Sequence, residues 1–60
     1  MKQPQTVLNF WISSIEDDGV DLTRWEEEFV EDFKGQLRDR GTWTEAQQDK
    51  LEQIYTNKVG

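Results

Sequence analysis

The chain contains no cysteine and no histidine. The first absence excludes a disulfide framework, thiolate nucleophiles and zinc–thiolate sites, and the second removes the commonest metal ligand and the usual acid–base group near neutral pH. Basic side chains are scarce as well, with 7 Lys and Arg against 13 Asp and Glu and a net charge of −6. That sign is wrong for a protein that gains affinity by neutralising phosphates, so direct nucleic-acid binding is not expected and a basic protein partner is. Long hydrophobic runs are also missing. The stretch from Val7 to Ile15 is too short and too polar for a signal core or a membrane span, which predicts a cytoplasmic protein without a membrane partner.

What is present suits one small domain over residues 1–60 with frayed termini. Leu, Ile, Val and Phe account for 14 of the 60 residues, and three Trp add large areas for burial. This lies just above the roughly 20% below which a highly charged chain stays disordered. A domain of this length hides only about 60% of its extended-chain surface, so stability is marginal and a partner or a dimer would add to it.

The chain is organised around Thr23 to Leu37, TRWEEEFVEDFKGQL. Trp25, Phe29, Phe33 and Leu37 recur every four residues with Val30 beside them, and at about 100° per residue they share one apolar arc. Thr23 and Glu26 have the spacing of a capping box, which explains how a carboxylate is tolerated inside that arc. Glu26, Glu27 and Glu28 crowd the positive end of the helix dipole, Arg38 and Arg40 lie at the negative end, and Gly41 stops the helix. Gly35 is discordant inside a helix. It falls away from the arc, beside Glu28, Glu31, Asp32 and Asp39, as a tolerated surface glycine or as a dent where another chain approaches.

Before this segment, Val7, Leu8, Trp11, Ile12 and Ile15 match an amphipathic helix, although TVLNFWI would also suit a strand. Pro4 is acceptable in the first helical turn, and Phe10 lies roughly 130° from the centre of the apolar arc, which leaves it exposed. Glu16, Asp17, Asp18, Gly19 and Asp21 form an acidic turn with Gly19 as a left-handed cap. Carboxylates there oppose the dipole and call for a neighbouring Lys or Arg, water or a cation. The turn does not spell a calcium loop, because Ser14 stands where the first Asp belongs and Trp25 where the closing Glu belongs. After Gly41, Thr44 and Gln47 form a second capping box. Leu51, Ile54 and Tyr55 line a narrow stripe that Trp43 covers at its entrance, and Lys58 suits the closing end of the dipole. The pattern as a whole predicts an all-α bundle of three short helices, about 5–16, 24–39 and 45–57, packed around Trp25, Phe29 and Phe33.

Gln48, Leu51, Ile54 and Tyr55 read Q-x-x-L-x-x-I-Y, which resembles the sliding-clamp-binding motif of eukaryotic replication proteins, with Ile54 where that motif has an aromatic. The same spacing is what a core-facing helix needs. Trp11, Trp25, Trp43, Phe10 and Tyr55 could stack single-stranded bases, but such platforms line basic grooves, and the acidic balance favours a core role. From Leu22 to Tyr55 the order L-T-x-W-E-x-x-F-V … L-x-x-x-G-x-x-T-x-x-Q-x-x-x-L-x-x-I-Y resembles helix-pair segments of small phage-encoded and phage-derived proteins of DNA metabolism. The resemblance spans a little over half the chain. It implies an accessory protein working near replication, recombination or host-defence machinery, and it carries over no functional residue.

Function is therefore expected to be binding. The only acid–base candidates are carboxylates on exposed helical faces that nothing local desolvates, so no enzyme, cofactor or metal site is expected. The expected activity is that of a small acidic adaptor or inhibitor. Its binding face would be Glu27, Glu28, Glu31, Asp32 and Gly35, with Phe10 as an apolar anchor, and nucleic-acid mimicry is a narrower form of the same reading. The alternative is a structural homodimer that buries Phe10 and part of the first helix against a second copy.

Overall fold

The computed structural model describes residues 2–59, which form three α-helices and no strand: α1, Gln5–Asp18; α2, Arg24–Asp39; and α3, Glu45–Lys58. The all-α bundle is as the periodicity predicts. α2 has the expected bounds, while α1 continues past residue 16 to Asp18 and α3 past residue 57 to Lys58. The looseness expected at Met1 and the fraying expected at Gly60 lie outside the described residues.

α1 is helical because only the helical period gathers Leu8, Ile12 and Ile15 onto one side, where all three are buried. A strand would have placed Ile15 on the face opposite Leu8 and Ile12. Pro4 precedes the first turn at the cap position, and its carbonyl accepts from the N–H groups of Val7 and Leu8 at 3.0 and 3.4 Å. Gly19 is not a left-handed cap. Its φ of −67° is extended, and the left-handed residue of the turn is Asp21 with φ 55°, a residue type that tolerates that region. At the end of α2, by contrast, Gly41 does adopt φ 67° and donates its N–H to the Leu37 carbonyl at 3.0 Å, closing the helix with a left-handed cap.

The three helices run up, down and up. Gln5 at the start of α1 donates from its side chain to the Leu37 carbonyl near the end of α2, so these two are antiparallel. α1 and α3 run together: the Gln3 N–H reaches Gln48 Oε1 at 2.8 Å at one end, and the Val20 N–H reaches the Lys58 carbonyl at 3.3 Å at the other. Each helix contributes one stripe to the core, Leu8, Ile12 and Ile15 from α1, Val30, Phe33 and Leu37 from α2, and Leu51 and Ile54 from α3. α1 packs more extensively against α3 than against α2.

Trp25 corrects the expected core. It is 55% exposed, and Phe29 is only half-buried. A four-residue step advances about 40° around a helix, so the series from Trp25 to Leu37 fans across a wide sector. Phe33, Leu37 and Val30 fall together on its far side, at about 80–140° from Trp25, and Trp25 falls at the opposite edge. Its ring stacks on Phe29 at 5.6 Å, Phe29 meets Phe33 edge-on at 5.8 Å, and the Lys50 ammonium lies 4.9 Å above the Trp25 ring. The aromatic ladder thus climbs from the core to the surface.

Both capping boxes are present. Thr23 Oγ1 accepts from the Glu26 N–H at 3.1 Å while Glu26 Oε1 accepts from the Thr23 N–H at 2.9 Å, and Thr44 and Gln47 repeat the exchange at 3.1 and 3.0 Å. The Thr23 backbone N–H, followed by the Thr23 hydroxyl and Lys58, holds the Glu26 carboxyl below its ordinary value against the opposing effect of its burial. A depressed carboxyl contributes stability that is present above the ordinary glutamate range and is lost as pH falls through the lowered value. Thr23→Ala is expected to cost about 1 kcal/mol and to lower the thermal midpoint by several degrees. An unchanged midpoint in a urea or thermal melt would show that the start of α2 is held elsewhere, by Asp21.

Amide side chains supply the remaining polar links. Gln36 and Gln47 exchange reciprocal hydrogen bonds at 3.1 and 3.0 Å, and Gln36 also donates to the Thr42 carbonyl at 2.8 Å, which ties the α2–α3 connection to both helices. Gln48 is buried and accepts from Trp43 Nε1 at 3.1 Å as well as from Gln3. The Q-x-x-L-x-x-I-Y pattern is therefore spent on the interior: Gln48, Leu51 and Ile54 are buried and Tyr55 is half-buried. No buried side-chain polar atom among the described residues lacks a partner.

Candidate functional site

The outer face of α2 holds Glu27, Glu28, Glu31 and Asp32, all exposed. The helix that carries them is fixed by the Thr23 box at one end, by Gly41 at the other and by Val30, Phe33 and Leu37 beneath. Glu27 and Glu31 are one turn apart, as are Glu28 and Asp32, and like charges at that spacing destabilise an isolated helix by a few tenths of a kcal/mol per pair. Relief is uneven. Glu28 pairs with Arg24 at 3.4 Å in a fully solvated contact of little energetic value. Asp39 pairs with the adjacent Arg38 at 3.4 Å. Among the described residues no cation stands within ion-pair distance of Glu27, Glu31 or Asp32.

Three shallow depressions run along this face. The first, of about 380 Å³, lies between α1 and α2 and is lined by Ile15, Glu16, Leu22, Glu27, Val30 and Glu31. A second, of about 370 Å³, is formed by Glu27, Glu28, Glu31 and Asp32 alone. The third, of about 410 Å³, adds Gly35, Gln36, Asp39 and Arg40 to Glu31 and Asp32. A Cβ added at Gly35 would meet nothing within 4 Å, so this glycine leaves open space on the acidic side.

No family model, curated protein or solved structure matches the chain. The site therefore stands on its own geometry. Glu27, Glu28, Glu31, Asp32 and Gly35 are brought together along one helix, as their spacing predicts. Phe10 is exposed at 59%, but its ring lies at the seam of α1 and α3, 6.1 Å from Tyr55, which in turn lies 6.0 Å from Trp11. It forms a separate aromatic patch.

Glu16 and Leu22 line the acidic neighbourhood and were not singled out for it by sequence. Lys34 on α2 donates to both carboxylate oxygens of Glu16 on α1, at 3.2 and 3.1 Å. This is the neighbouring cation that the acidic end of α1 called for. Among the described residues, no group of three or more acidic side chains is gathered closely enough to hold a metal ion. No helix among them is long and apolar enough to cross a membrane. What this surface offers chemically is a row of exposed carboxylates along one helix.

Proposed function

We propose that this chain is a non-enzymatic adaptor or inhibitor whose α2 face docks on a basic surface of another protein. The supporting observation is the run of Glu27, Glu31 and Asp32, which carries like charges a turn apart without a paired cation on the described chain. A helix built only for packing had no need of that repulsion. Within the same proposal the protein is cytoplasmic, and its partner belongs to the DNA-metabolism or host-defence machinery that the phage-like helix-pair resemblance implies. A partner whose basic channel normally holds nucleic acid would make the carboxylate array a mimic of phosphates.

Affinity capture from host cells followed by mass spectrometry identifies the partner, and one double variant then tests the face. Glu27→Lys with Glu31→Lys is expected to keep or raise the melting temperature, because it relieves repulsion, while losing the partner; wild-type association should slow steeply with added salt. Retained affinity in that variant would sink the proposal.

The exposed Phe10 ring favours a second reading, a structural homodimer through the patch of Phe10, Trp11 and Tyr55. Sedimentation at rising concentration should then show a dimer that Phe10→Ser abolishes without loss of helical circular dichroism. A monomer at every concentration removes this reading.

A further inference from the structure

The depression between the end of α1 and α2 combines two chemistries. Its floor is aliphatic, built from Ile15, Leu22 and Val30, and three glutamates, Glu16, Glu27 and Glu31, stand around it. Ile15 and Val30 are almost covered and Leu22 is half-buried, so the space suits one aliphatic side chain resting on Leu22. The rim already shows what it closes on. Lys34 brings its ammonium to both oxygens of Glu16, so one side of the groove is occupied by a cation from the chain itself. On the other side Glu27 and Glu31 have no such cation among the described residues. Being one turn apart, they match two cations spaced one turn apart on a facing helix.

We infer that this groove is the anchor point for a basic helical segment of the partner protein, which seats one aliphatic side chain over Leu22 and sets flanking Lys or Arg side chains against Glu27 and Glu31. The inference rests on the acidic-face reading above and adds to it an apolar anchor and a register. Charge steers the segment in, and the aliphatic contact selects it from other basic surfaces. Nucleic acid and anionic lipid are repelled by the same rim.

The test uses the full chain and two synthetic peptides. One is a fluorescent helical peptide with two lysines one turn apart and a single leucine beside them on the same face; the other has serine in place of that leucine. In low-salt anisotropy titrations the leucine peptide should bind roughly tenfold more tightly than the serine peptide. It should also shift the methyl resonances of Ile15, Leu22 and Val30. Glu27→Gln with Glu31→Gln, checked for native circular dichroism, should weaken the leucine peptide by roughly tenfold or more. Equal binding of both peptides, with shifts confined to Glu28, Asp32 and Gly35, overturns the groove while leaving the acidic-face reading standing. Shifts centred on Phe10 and Tyr55 also overturn it. Binding of neither peptide at low salt overturns both.

Discussion

Leu51→Ala should remove a large share of the stability of this chain. Leu51 is fully buried on α3, in the cluster that joins α3 to Leu8, Ile12 and Ile15 of α1, and truncating a buried leucine to alanine costs about 2–5 kcal/mol. At roughly 0.05–0.15 kcal/mol per residue, a domain of this length has a total stability of only ~3–9 kcal/mol. Urea unfolding followed by circular dichroism should therefore show a midpoint far below that of the parent chain, and Leu51→Met, which keeps the volume, should lose less than about 1.5 kcal/mol. A loss below about 1 kcal/mol for Leu51→Ala would mean that α3 is not a wall of the core.

Gly19→Ala is expected to have the next largest effect, for a reason unconnected with backbone dihedral preference. With φ −67° any residue is acceptable, but an added Cβ would collide with the carbonyl oxygen of Ile15. That oxygen also accepts the Gly19 N–H at 3.0 Å, the bond that finishes α1, and the Ile15 side chain is buried. The turn cannot open without loosening the end of the helix. Crowding of this kind costs about 1–3 kcal/mol, whereas Gly35→Ala, placed in open space within a helix, should gain up to about 1 kcal/mol. Thermal melts of the two variants should move in opposite directions. A neutral Gly19→Ala would show that the turn yields without difficulty.

The helices were legible because each has its own period and punctuation: the Thr23 and Thr44 boxes, Gly41, and stripes such as Leu8, Ile12 and Ile15 all act within one or two turns. The acidic face was legible for the same reason, since Glu27, Glu28, Glu31 and Asp32 need only the geometry of one helix. What could not be read depends on how helices meet. Trp25 looked central because its spacing from Phe29 is helical, yet its place at the rim follows from where α1 and α3 lie. Glu16 joins the acidic groove only because α1 brings it beside Lys34 of α2. Gln36 carries no pattern of its own and Gln48 only a motif spacing, and the bonds of Gln36 to Gln47 and of Gln48 to the Gln3 N–H exist only once the helices have met.

The side-by-side packing of α1 on α3 sets a constraint on how the protein is made. The first helix finds its main apolar support in the last, through Leu51 and Ile54, and the Val20 N–H and the Asp21 carbonyl find theirs at Lys58. An emerging polypeptide that ends before α3 has two amphipathic helices and an open interior. Docking of α1 therefore awaits α3, and the contacts that complete the core are long-range in sequence. Until then Leu8, Ile12 and Phe33 lack their full cover, and the net charge of −6 works against association of such chains.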